Sequence, residues 1–372
     1  MMTRIEGAAA GLLTGTMLAG TMLAGTMLAG TMLAGPARAA PAVAEADFAT
    51  SDFRFGDGKR LPELKQHYRT LGTPVKNARG EITNAVMVLH GTGGTGAQFL
   101  QPQFARLFEK GGTLDAAKYF IILPDGIGHG GSSKPSDGLK MAFPAYDYAD
   151  MVKAQALLLD HLGVKTLRLL MGTSMGCMMG FQFGIDQPAR AQAIMPLACN
   201  VIELAGRNRM WRAMAIQAIK ADPDWQDGNY TRQPLNGMRV GVALQAMASS
   251  APLRMQADAP TRAAADQLAS RAMETGLAGS ADANDRIYQL EASRNYKPLA
   301  RLSRIKVPVT WVNSADDFIN PPGIGQPAQW ARAMPKGRFV LIPETAETRG
   351  HSTHTWSQFW DGELKALLAR SE

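Results

Sequence analysis

Cysteine is almost absent: Cys177 and Cys199 are the only two in 372 residues. That excludes a framework of several disulfides and a zinc site built from cysteines. Histidine is scarce as well, with six in the chain, so each one can be weighed individually. Charged residues make up only 19%, and the net charge of +7 comes from Lys and Arg that stand singly. No basic run interleaved with aromatics appears, so the charge reads as solvated surface and no nucleic-acid partner is expected. What the chain has in quantity is apolar residues (46%) and 38 glycines. This length and composition suit one large core with a sizeable insertion, or two domains.

The first forty residues read as separate from the fold. Arg4 is followed by a mildly apolar stretch in which TMLAG occurs four times in tandem, from Thr16 to Gly35. The stretch ends in Pro36-Ala-Arg-Ala39, an A-x-A ending. A basic start, an apolar centre and small residues at a cleavage site describe a secretory signal peptide, with cleavage near Ala39. The expectation is a periplasmic or secreted protein with no stable membrane anchor after cleavage. The tandem repeat fits a region where only hydrophobicity matters.

From residue 84 onward short aliphatic runs alternate with amphipathic ones. Residues 84–90, 119–124, 166–171, 191–197, 307–312 and 338–342 read as buried strands, and residues 150–161, 175–184 and 329–334 as helices. Such alternation predicts a mostly parallel sheet covered on both faces. Residues 53–68 are expected to add antiparallel edge strands. Between residues 201 and 296 the strands stop. Helical spacing over 207–221, 237–249, 261–275 and 282–294, punctuated by prolines, predicts an inserted cap over the C-terminal edge of the sheet. The expected organisation is a leader over 1–39, a core over 40–200 and 297–372, and the cap over 201–296.

Within this order the stretch Leu169-Leu-Met-Gly-Thr-Ser-Met-Gly-Cys-Met-Met-Gly180 acquires meaning. With 38 glycines, G-x-S-x-G arises by accident on the order of once in five chains of this length, so the pentapeptide alone proves little. Its placement between a strand and a helix matters more. A nucleophile elbow there is so tight that only glycine fits at positions 172 and 176, and it exposes the hydroxyl of Ser174. The Met175 amide, at the helix N-terminus, then points where negative charge would develop.

Serine needs a base. His67 falls in the edge-strand region and His161 at the end of an amphipathic helix. His90 and His129 belong to glycine loops ahead of the serine. His351 and His354 remain, in Arg349-Gly-His-Ser-Thr-His-Thr355, after the last strand, where the base of a Ser, acid, His order is expected. His351 is preferred, and His354, one turn on, is the alternative. The pair could be half of a zinc site, but no matching ligand cluster appears in the sequence, so no metal is expected. The acid should follow the penultimate strand, where Asp316 and Asp317 stand together. Asp317 is preferred, with Asp316 as the alternative. The second oxyanion donor is expected from the loop His90-Gly-Thr-Gly-Gly-Thr-Gly96, at the Thr92 amide. No Lys-Ser/Thr follows that loop, which argues against a P-loop.

These residues carry a resemblance. Tyr68-Arg-Thr-Leu-Gly72, His90-Gly-Thr-Gly93, Lys118 to Gly128, Gly131-Ser-Ser with Ala142-Phe-Pro144, Gly172 to Met178 and Ala221-Asp-Pro-Asp-Trp225 resemble the homoserine O-acetyltransferase-like branch of the α/β-hydrolase superfamily. The resemblance implies an α/β-hydrolase fold, a Ser-His-Asp triad and a covalent acyl-enzyme under a helical cap, with no cofactor. A homodimer would suit the family. Family acetyltransferases carry a cap arginine for the substrate's carboxylate, and the stretch Gly237 to Leu244 places Val242 there. Together with export, this favours a serine hydrolase acting on a small ester, thioester or amide. The alternatives are an O-acyltransferase acting on homoserine or serine, and a catalytically silent scaffold that only binds. Cys177 reads as a small buried thiol, with a bond to Cys199 as the alternative. Met171, Met175, Met178 and Met179 read as core and pocket lining. Met210, Trp211, Met214 and Met247 of the cap are expected to form an apolar acyl pocket or to pack the cap onto the sheet.

Overall fold

The computed structural model describes residues 41–279 and 282–371. The leader reading falls on residues 1–39 and lies outside the described residues. Eight strands form one sheet: β1 (Val43–Arg54), β2 (Arg60–Leu71), β3 (Ala85–Leu89), β4 (Phe120–Pro124), β5 (Leu169–Thr173), β6 (Ile194–Leu197), β7 (Val309–Ser314) and β8 (Gly337–Ile342). Their spatial order is β1-β2-β4-β3-β5-β6-β7-β8. β1 and β2 pair antiparallel, β2 joins β4 antiparallel, and the remaining strands run parallel.

Strand periodicity divides the core. Val86 and Val88 point into one apolar cluster, and Met87 and Leu89 into the other. Short helix α1 (Pro102–Ala105) covers the first face together with α10 (Asp361–Ala369), through Phe104, Trp360, Leu364 and Leu367. On the second face α2 (Tyr148–His161) and α3 (Met175–Asp186) supply Met151, Leu158, Met178 and Phe181. Burial from both sides explains why β3 to β7 are buried at every position and why β3, β4 and β6 are continuous apolar runs. The remaining core helix, α9 (Pro327–Ala331), is shorter and earlier than the helix expected over 329–334.

Between β6 and β7 lie α4 (Gly206–Ala221), α5 (Leu235–Ser249), α6 (Pro252–Asp258), α7 (Arg262–Ala278) and α8 (Ala283–Glu291). α4 and α8, with Trp225 of the connection after α4, build a core of Trp211, Ile216, Ile219, Ile287 and Leu290. Two elements escaped the sequence. β1 begins at Val43, ahead of the expected edge, because an outer strand that is mostly exposed shows no apolar alternation. α6 starts at Pro252, which reads as a break but stands at the first helical position, where its missing N–H costs nothing.

The buried-thiol expectation is corrected. Cys177 and Cys199 form a disulfide, with Cα atoms 5.9 Å apart. Sequence spacing sets Cys177 a turn beyond its strand, but α3 folds back over the neighbouring strand β6. Its first turn therefore lies beside the segment just past β6, where Cys199 stands. The bond spans 22 residues of sequence, so removing it with Cys177→Ser is expected to lower unfolding stability by about 3 kcal/mol. A denaturant midpoint that does not change, with or without reductant, would contradict this.

Candidate active site

The C-terminal ends of the parallel strands converge, and each delivers one part of the site. At the end of β5, Ser174 takes φ 55° and ψ −110°, a left-handed conformation that is strained for any side chain. Its amide is fixed by donating to the Leu197 carbonyl at 2.8 Å. The elbow closes on itself. A Cβ on Gly172 would lie 2.0 Å from the Gly176 carbonyl oxygen, and one on Gly176 would lie 2.0 Å from that of Leu89. Both distances are far inside van der Waals contact, so both positions require glycine. Met175 then opens α3.

The loop after β8 brings His351 to Ser174. His351 Nε2 lies 2.8 Å from Ser174 Oγ, and His351 Nδ1 lies 2.9 Å from both carboxylate oxygens of Asp317. All three side chains are buried. Asp317 Oδ1 also accepts from the Ile319 amide at 2.9 Å and the Asn320 amide at 2.8 Å, which fixes the carboxylate after β7.

The two alternative residues sit elsewhere. Asp316 faces away from the ring, taking hydrogen bonds from Ser314 Oγ, from Thr348 Oγ1 at 2.8 Å and from the Gly350 amide at 2.9 Å. It ties the end of β7 to the loop that carries His351. His354 donates through Nδ1 to the His351 carbonyl, and its own carbonyl accepts from Trp360 Nε1 at 3.1 Å. Burial, reinforced by the adjacent His351 ring, lowers His354 to about 3 and keeps it neutral.

The glycine loop follows β3. A Cβ on Gly91 would lie 3.4 Å from Ser174 Cβ, so Gly91, the residue before Thr92, stands beside the serine. His90 braces this loop. Its Nε2 accepts from the Gly126 amide at 2.9 Å, which leaves Nδ1–H to donate to the Gly91 carbonyl at 2.9 Å. His129 Nδ1 donates to the Ile127 carbonyl at 2.9 Å. His67 pairs with Asp47 on the edge strands at 2.7 Å, and exposed His161 stacks on Phe48. Asp125 was not singled out from the sequence, yet it gathers Gly96 N–H, Gly131 N–H and Arg69. The only sequence signal was its place after a buried strand, in Pro124-Asp-Gly126.

Above the glycine loop the cap encloses a cavity of about 340 Å³. Thr92 and Gly93 form its floor, with Val242 and Gln245 from α5 and Arg286 and Gln289 from α8 in its walls. The cap-methionine expectation is corrected here. Met210, Met214 and Met247 are exposed on the outer surface, and only Trp211 packs inside the cap. Helical spacing showed an apolar stripe but not which side of the cap it faced. Among the described residues no cluster of three metal-binding side chains occurs, and no helix is long and apolar enough to cross a membrane.

The family described as "alpha/beta hydrolase fold" matches residues 84–348. A homoserine O-acetyltransferase of Rhodospirillum rubrum is 34% identical over 207 residues, covering 50% of this chain and 51% of that protein. The match thus spans about half the length of that curated relative. A homoserine O-acetyltransferase of Trichormus variabilis is 32% identical over 293 residues, covering 71% of this chain and 78% of the relative. Among solved structures, that of esterase E22 superposes with a TM-score of 0.76 at 18% identity, covering 88% of this chain and all of that one. At that identity the likeness concerns the fold alone.

Proposed function

The chain belongs to the α/β-hydrolase fold family, in its homoserine O-acetyltransferase-like branch, and from that premise we propose that it transfers acyl groups through a covalent ester on Ser174. The observation that carries the reading is the continuous line from Ser174 Oγ through His351 to Asp317. Ser174 Oγ attacks the substrate carbonyl as its proton passes to His351 Nε2. Asp317 holds Nδ1–H and stabilises the imidazolium. The Met175 and Thr92 amides receive the oxyanion. The leaving alcohol takes the proton from Nε2, and acyl-Ser174 remains. A second acceptor then gives its proton to Nε2, attacks the ester and releases Ser174.

The acetyltransferase names of the relatives support an alcohol as that acceptor. Water is the second reading, favoured by two observations. Val242 lines the cavity at the place where the resemblance calls for an arginine, and the buried disulfide suits an oxidising compartment outside the cytoplasm. Export by a leader ending near Ala39 belongs to the same proposal.

The two acceptors predict different products. Chain beginning at Ala40 would be supplied with p-nitrophenyl acetate while homoserine is titrated in, and acetate and O-acetylhomoserine quantified separately. Under the transferase reading O-acetylhomoserine rises at the expense of acetate. Acetate alone at every homoserine concentration assigns the acceptor to water. No product of either kind above the Ser174→Ala background rules out the acyl-transfer reading.

A further inference from the structure

The cap cavity carries a charge that the acyl-transfer steps do not use. Arg286 reaches down from α8 to the glycine loop, and a Cβ on Gly93 would lie 2.6 Å from its Nη1. The guanidinium donates to Gln245 Oε1, and among the described residues no aspartate or glutamate forms an ion pair with it. Burial, together with the like charge of Arg212, lowers it to about 10, so it remains a cation at neutral pH. The side chain is half-buried, and a partly desolvated cation without a counter-ion favours an anion beside it.

A second group points the same way. Gln289 is 2% exposed and donates through Nε2 to the Gly128 carbonyl at 2.9 Å. Its Oε1 has no hydrogen-bond partner, lines the same cavity and lies 3.6 Å from the same Gly93 position. Buried acceptors are rarely left unpaired unless something else completes them. Cation and acceptor thus stand side by side, one residue from Thr92, against an apolar wall that includes Met238 and Val242.

We propose that this cavity holds the substrate by a carboxylate, which pairs with Arg286, while a neighbouring hydroxyl or ammonium donates to Gln289 Oε1. The cavity is at the small end of ligand pockets, which suits a short hydroxy- or amino-acid ester. Val242 occupies the place on α5 where the family resemblance calls for the carboxylate-binding arginine, so here the cation comes from a different helix. This inference rests on the reading of Ser174 as nucleophile.

The test compares 4-acetoxybutanoate with 4-acetoxybutanamide, which puts the carboxylate on the alcohol side. Mono-p-nitrophenyl adipate and its terminal amide put it on the acyl side. In at least one pair the carboxylate is expected to have a kcat/KM higher by about tenfold or more, as for a hydrogen bond to a charged group. Arg286→Met should bring that ratio to near one, and Arg286→Lys should retain part of it. Should the variants fail to fold, the wild type suffices: butanoate must inhibit p-nitrophenyl acetate hydrolysis more strongly than butanamide does. Turnover of p-nitrophenyl acetate with no carboxylate preference in either pair overturns the subsite alone. Absence of turnover, with no fluorophosphonate label on Ser174, overturns the acyl-transfer reading and the subsite with it.

Discussion

Ser174→Ala is expected to lower kcat for p-nitrophenyl acetate by about a million-fold, the loss typical of removing a nucleophile that acts as one unit with its base. The reason is geometric. Ser174 Oγ is the atom that faces His351 Nε2, at 2.8 Å, and alanine leaves the imidazole with no proton to accept. The amides proposed to receive the oxyanion belong to the backbone and survive the change, so a residual rate above that of water should persist. The fold should survive too, since the elbow is held by the Ser174 amide and by the glycines around it. An unchanged thermal midpoint together with lost activity is therefore the expected pair of results. A variant that retains a tenth of the wild-type rate would show that the nucleophile lies elsewhere.

The second large effect separates two adjacent carboxylates. Asp317→Asn is expected to lower kcat by about ten thousand-fold, because an amide facing Nδ1 stabilises the wrong tautomer and does not balance the imidazolium. Asp316→Asn should stay within about a hundred-fold of wild type, because Asp316 acts on the loop backbone at Gly350 and on Thr348 rather than on the ring. Its effect should appear as lower stability and a higher KM, as the loop that carries His351 loosens. Kinetics of the two variants on one substrate suffice, and the reverse ranking would reassign the acid to Asp316.

The parts of the site that obey chain order were legible in the sequence. A buried strand, then a glycine-flanked serine, then a helix is a local pattern, and the candidate acid and base follow in the order that an elbow requires. The parallel sheet was equally legible, because burial on both faces leaves continuous aliphatic runs. Elements with little burial left little trace, as β1 illustrates, and α6 was hidden by a proline that terminates helices more often than it begins them.

The sequence by itself determined where the strands, the elbow and the candidate nucleophile lie, because these depend on side-chain periodicity and on backbone conformations that only glycine permits. The tertiary structure decided which of two adjacent aspartates faces the imidazole, which of two histidines faces the serine, and that Cys177 meets Cys199. It also turned Met210, Met214 and Met247 outward and Arg286 inward. Each of these is a choice of direction between neighbours in sequence, and direction is set by how helices and loops pack across the strand ends.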